Sequence, residues 1–387
     1  MMSYVIVVKF VCVIYKLNKY SMMKIIKSLL FPSLERGERL RIRKETWSCF
    51  NEKDVLLFTL TNEHGMELST TNYGCIVTDL RVPDRNGNIE NVVLGFGRFE
   101  PYVENAPYFG AVIGRVAGRI RGASFELDGI TYQLAKNEHN NHLHGGPSGF
   151  HRVLWQAEPV QRDGAVGVVF SYTSPDGEEG YPGTVHVQVE YWLNNDNEWT
   201  VTHRARSDKT TLLNLTNHTY FNLSGNGKRD ILDHTLTIQS SRVLELNEEM
   251  IPTGRVLDVA GTPFDLRQGK AIWEAVESGH PQIELVGGGY DHPFWLDRHH
   301  DKEIVLSDPE SGRVLTVETD EVGVVVYTSN QLPEGLDLGG VPSRKYLGVC
   351  LETQGLPDAV HHPQFPSIVL PAGQERASTT VYRFGII

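Results

Sequence analysis

The chain has 387 residues, of which 40% are hydrophobic and 22% charged, with a formal net charge of −12. This is the composition of an ordinary soluble globular protein, long enough for one large all-β domain or two ordinary ones. The acidic balance disfavours nucleic acid and anionic membrane as partners, and Cys12, Cys49, Cys75 and Cys350 form no CxxC pair. That spacing suits neither a zinc site nor a dense disulfide scaffold. Reduced thiols in a cytoplasmic protein are expected, with Cys350 serving as packing.

Residues 1–42 differ from the rest. The apolar run Val5–Tyr15 is interrupted by Lys9 and is too short for a stable membrane span. It also lacks a secretory cleavage site, so residues 1–42 read as an extension outside the fold and 43–387 as one domain.

From Lys44 onward the pattern is strand after strand. Segments at Leu56–Leu60, Ile76–Val82 and Val92–Phe96 come first. Asp128-Gly129 then separates two alternating stretches within Phe125–Leu134, a strong hairpin signature. Asp163-Gly164 precedes another strand at Val166–Tyr172. Val185–Tyr191 alternates strictly and places His186 on a polar face; Trp199–Thr202 alternates again after an Asn-rich turn. Thr235–Ile238, Arg313–Thr319 and Val322–Tyr327 complete the set, while Lys270–Ser278 is the best helical segment. Scarce helix and no low-complexity linker predict a large antiparallel β-sandwich.

Several segments break the alternation with polar clusters. His142-Leu143-His144-Gly145-Gly146 could supply half a metal site, but Gly145–Arg152 contains no acid to complete a cupin-type set. Hydrogen bonding or proton transfer suits these imidazoles better, and no metal is expected. In Asn214–Gly225, the residues Asn214, Thr216, His218 and Tyr220 would share one strand face. Burying such a stripe is costly unless something polar binds there. Glu352 ends the apolar run Tyr346–Gln354. It is either a solvated strand end or a buried carboxylate whose raised pKa suits proton transfer. Asp291 reads equally as a turn aspartate and Arg119 as a surface arginine. Gly-x-Ser-x-Gly, a P-loop and a dinucleotide fingerprint are all missing.

Together, His144-Gly145-Gly146, Asn217-His218-Thr219-Tyr220-Phe221-Asn222-Leu223, Asp291-His292-Pro293-Phe294 and Leu351-Glu352-Thr353-Gln354 resemble the aldose 1-epimerase (galactose mutarotase) family. Glu179–Gly183 and Gly149-Phe150 followed by Leu154-Trp155 are also family-like, so the resemblance spans Lys44 to Phe384. It implies a large β-sandwich with a sugar site on a concave sheet. It implies Glu352 as general base, His218 as general acid, and His144 as a substrate-orienting or charge-stabilising partner. Arg119 and Asp291 match positions that hydrogen-bond sugar hydroxyls, and Asn217 and Tyr220 join the expected substrate-binding set. Two departures stand out: many relatives carry asparagine at the position of Gly118, and some an amide at that of Val325.

The implied reaction is ring opening of a free aldohexose, rotation about C1–C2 and reclosure, which needs no cofactor. Tyr181, Trp155 and Phe294 are the expected sugar-stacking aromatics. The protein is expected to act as a monomer or homodimer on a small sugar. Other readings are a hexose-6-phosphate epimerase using Arg115, Arg119 and Arg121 as a phosphate cluster, and a non-catalytic carbohydrate-binding sandwich. A glycosidase using Asp291 and Glu352 as its carboxylate pair is a further one.

Overall fold

The computed structural model describes residues 40–387. Most of the expected extension, including Cys12, lies outside the described residues. Arg41 and Ile42, expected outside the fold, instead pair with Thr61 and Leu60 in the first strand, Arg41–Phe50.

Three antiparallel sheets carry the structure. A nine-stranded sheet runs from Gln156–Arg162 through Ala165–Ser174, Val185–Asn194, Glu198–Ser207, Glu375–Ile386, Arg313–Thr319, Ile304–Ser307 and Thr235–Ile238 to Lys270–Ala271. A six-stranded sheet has the order Tyr220–Phe221, Val349–Gln354, Gly323–Tyr327, Asp291–Trp295, Arg242–Leu246 and Pro252–Asp258. A five-stranded sheet formed by residues 41–91 is the third.

Alternation decides which face each sheet buries. Val185, Val187, Val189, Tyr191 and Leu193 point into the core while their neighbours stay partly exposed. On the six-stranded sheet, Phe294, Val324, Val326, Val349 and Leu351 join the same core. Phe221 packs on Tyr382 of the nine-stranded sheet at 5.6 Å between ring centroids. The Thr353 and Thr380 hydroxyls meet at 2.7 Å, so these buried polar groups are paired across the interface. Each fully buried aliphatic side chain in this layer contributes about 1.5–3 kcal/mol relative to exposure. The expected β-sandwich is therefore the observed architecture, and the face of the six-stranded sheet turned away from the core is left for a ligand.

The local signals behave as their chemistry requires. Asp128 and Gly129 both take positive φ (52° and 75°) in the two-residue turn joining Ser124–Leu127 to Ile130–Gln133. The helix expected at Lys270–Ser278 forms, shortened to Ile272–Val276. Val92–Phe96 does not become a strand. The Asn91 side-chain oxygen accepts from the Leu80 and Val93 N–H groups, and only a bridge between Val93 and Phe221 remains.

Candidate active site

The free face of the six-stranded sheet forms the floor of a cavity of ≈ 270 Å³, close to the lower end of small-molecule pockets, about 300–1,000 Å³. Register places Pro293 opposite Val325 and Val325 opposite Glu352, while Asp291 lies opposite Tyr327. The two-residue period brings Asp291, Val325, Tyr327, Glu352 and Gln354 to the cavity. Tyr220 of the edge strand joins them, and Tyr108, Gly118, Arg119, Glu138, His144 and His218 line it from outside the six-stranded sheet.

At the centre, His218 Nε2 lies 3.5 Å from Glu352 Oε1, and the two side chains are only 5% and 4% exposed. Burial pushes the Glu352 carboxyl well above its usual range; Asp291 adds to the rise and Arg119 opposes it. Burial pushes the His218 imidazole down to about 4, against a smaller opposing effect of its own backbone carbonyl. The Cys350 thiol, packed in the core as expected, also faces His218 Nδ1 at 3.5 Å.

His144 stands beside them, its ring centroid 5.3 Å from that of His218. The Gly118 N–H donates to His144 Nδ1 at 3.2 Å, which leaves the ring proton on Nε2. Burial, with the neighbouring His218 and Arg119, holds this imidazole neutral well below its usual range. The following glycine is required by space, because a Cβ on Gly145 would lie 1.9 Å from the Gly114 carbonyl oxygen at a φ of +79°. The pairing of His142–Leu143 with Arg119–Ile120 then carries Arg119 to the same wall.

Arg119 is held in a fork. Its Nε and Nη2 each donate to Glu138 at 2.7 Å, and among the described residues no protein acceptor meets Nη1. Burial works against the guanidinium charge, but Asp291, Glu138 and Glu352 outweigh it and raise its pKa. Asp291 is raised by burial, with Arg119 opposing. One ligating atom each from His144, His218 and Glu352 lies within 4.8 Å of the others. Such a spacing would admit a small cation by distance, and it equally suits an acid–base pair with a neutral donor at its side.

Two expectations about the polar stripe fail. Thr216–Asn217 pairs with Val112–Ile113, and Tyr220–Phe221 pairs with Val349–Cys350, so the stripe is split between partners. Asn214 is tied to the backbone of Gly355, and only His218 and Tyr220 reach the cavity. Asn217, expected among the substrate contacts, does not line the cavity. Its amide donates to Gly110 and Tyr191, and its oxygen accepts from the Thr219 N–H and hydroxyl in a local turn. Tyr220 offers its ring, since its hydroxyl donates to Pro107 at 2.8 Å.

The expected stacking aromatics Tyr181, Trp155 and Phe294 are buried in the core. Tyr108 and Tyr327 take the cavity positions instead, and Tyr108 packs edge-on against His144 at 4.8 Å. Glu138 was also missed. The arginine cluster disperses: Arg115 is buried, bonded to Ser174, Pro175 and Pro182, and Arg121 does not line the cavity.

A family model described as aldose 1-epimerase matches residues 56–383. Galactose mutarotase of Bos taurus is 44% identical over 326 residues, covering 83% of this chain and 92% of that protein. The Homo sapiens galactose mutarotase is 44% identical over 324 residues, with the same 83% and 92% coverage. The crystal structure of galactose 1-epimerase from Lactobacillus acidophilus NCFM superposes with a TM-score of 0.81 at 29% identity, covering 90% of this chain and 99% of that one. Among the described residues, no helix is long and apolar enough to cross a membrane.

Proposed function

The chain belongs to the aldose 1-epimerase family, an isomerase of aldose anomers, and we propose that its cavity takes free aldohexoses, galactose and glucose among them. Glu352 is the general base and His218 the general acid. The observation that carries this is the 3.5 Å approach of His218 Nε2 to Glu352 Oε1 inside a monosaccharide-sized cavity.

The chemistry needs one proton held between these two groups. With the proton on His218 and Glu352 ionised, the carboxylate takes the anomeric hydroxyl proton while the imidazolium protonates the ring oxygen. The C1–O5 bond breaks and C1 becomes an aldehyde. Glu352 is then protonated and His218 neutral, the state that burial favours. After rotation about C1–C2, the O5 hydroxyl attacks the other face and the two protons return. The enzyme regains its starting state without external acid or base, so the same groups serve both directions. Each correctly placed acid or base contributes about 10²–10⁴ in rate.

His144 Nε2–H is assigned to steady the developing charge on the anomeric oxygen. Arg119 and Asp291 are assigned to ring hydroxyls, and the rings of Tyr108, Tyr220 and Tyr327 to the apolar faces of the sugar. The phosphate-ester alternative finds no support in this cavity, because Arg119 is matched by Glu138 and Arg115 faces the protein interior.

Polarimetry of freshly dissolved α-galactose and α-glucose tests the reading. Glu352→Gln and His218→Asn should each lower kcat by at least about 10²-fold with the fold retained. Near-normal rates in either variant would remove its assigned role.

A further inference from the structure

The strand Val349–Gln354 sends a second polar side chain to the cavity two residues beyond Glu352. Gln354 is 1% exposed. Its Nε2 makes one long bond, 3.4 Å to the Gly355 carbonyl. Its Oε1 is buried and has no hydrogen-bond partner. Among the described residues, it is the one such orphaned side-chain atom that belongs to a residue lining the cavity.

A buried amide left in this condition is costly, so a native site that retains one has a use for it. The surrounding residues offer no substitute. Val325, beside Glu352 on the neighbouring strand, presents only methyl groups. Gly118 presents no side chain at all, and a Cβ there would crowd Pro357 at 3.0 Å and stand 3.7 Å from Gln354 Nε2. This wall of the cavity is therefore apolar or bare except for one carboxamide. The amide torsion of glutamine is soft and roughly two-fold, so a small turn brings either end to face a ligand.

We propose that Gln354 is a specificity-determining residue that holds one ring hydroxyl of the aldose, accepting its proton at Oε1 and fixing the sugar relative to Glu352. This rests on the aldose reading above and names the group that reads substrate stereochemistry on the Gly118–Val325 side. A site built around a hydroxyl discriminates against a sugar lacking it, because the amide is then left unpaired.

The test compares wild type with Gln354→Met, an unbranched replacement without the amide. Initial mutarotation rates are measured on galactose, on glucose, and on their 2-, 3-, 4- and 6-deoxy derivatives. The variant should lose about 10-fold or more in kcat/KM on the parent hexoses, and one deoxy sugar should be turned over equally by both proteins. An equal loss on every sugar, or no loss on any, overturns the proposal. Gln354→Leu provides the same comparison if the methionine variant folds poorly, with circular dichroism as the check on both. Wild-type turnover of the parent hexoses separately tests the aldose reading, so the two failures are distinguishable.

Discussion

Cys350 Sγ and His218 Nδ1 face each other at 3.5 Å, on the edge of the ring opposite Glu352. Burial, reinforced by Glu352 and Asp291, raises the thiol well above its usual range and keeps it a donor. A thiol donating to Nδ1 favours the ring proton on Nε2, the nitrogen aimed at the carboxylate. Replacing it with Cys350→Ala removes a hydrogen bond worth about 0.5–1.5 kcal/mol. The expected result is a kcat lower by about 2–10-fold with KM little changed, and recovery in Cys350→Ser. Nitrogen NMR of the His218 ring should show the tautomer balance move in Ala and return in Ser. Identical behaviour of the two variants would reduce Cys350 to packing.

The pH dependence follows from the shared proton. A second proton enters the pair at His218, whose pKa is lowered to about 4, so activity should fall as pH drops toward that value. The last proton leaves from Glu352, whose pKa is raised well above the usual carboxylate, so activity should fall again as pH rises through it. The kcat/KM profile is expected to be a bell whose two limbs belong to the pair. A profile flat from pH 4 upward would exclude Glu352 as the titrating base.

Glu138 fixes Arg119, the residue assigned above to a ring hydroxyl. Removing it in Glu138→Ala releases a guanidinium otherwise fixed by two bonds of 2.7 Å. The expected effect is a KM increase of about 10-fold, larger than any fall in kcat, because positioning is lost while the proton pair stays in place. Initial rates over a range of galactose concentrations measure this. A fall confined to kcat would place Glu138 in the chemistry instead.

Leu351 stands between Cys350 and Glu352 but points the other way, into the core shared with the nine-stranded sheet. Leu351→Ala should cost about 2–5 kcal/mol of stability. Denaturant unfolding would show a lower midpoint with the slope unchanged. A loss well under 1 kcal/mol would mean that this layer is more loosely packed than its burial indicates.

Legibility from sequence followed the range of the interactions involved. Asp128-Gly129 announced its hairpin because a two-residue turn is a local matter of backbone angles. The strands at Arg313–Thr319 and Val185–Asn194 were readable from their alternation. His144, His218 and Glu352 sit in motifs that stand out as polar interruptions, Arg119 and Asp291 gain their roles through the family resemblance, and the fold gathers all five around one cavity. Tyr108 was not readable, because a turn closing on Asn105 has no period and its neighbours in space come from distant segments. Glu138 becomes significant only through a partner 19 residues away. Asn217 misled because it adjoins His218 in sequence, yet consecutive residues on an extended chain point to opposite sides.

The strand Val349–Gln354 turns Cys350, Glu352 and Gln354 to one face, the last two lining the cavity, alternating with Leu351 and Thr353 on the opposite, core side. A one-residue slip against Gly323–Tyr327 would exchange these sets, burying the carboxylate in hydrocarbon and offering leucine to the sugar. The penalty for a shifted strand is thus levied on folding and on turnover together. An insertion or deletion here has no neutral outcome, whereas point changes on its two sides can be tuned separately. Selection for a stable sandwich would therefore guard the alignment of the proton pair even while the enzyme idles without substrate.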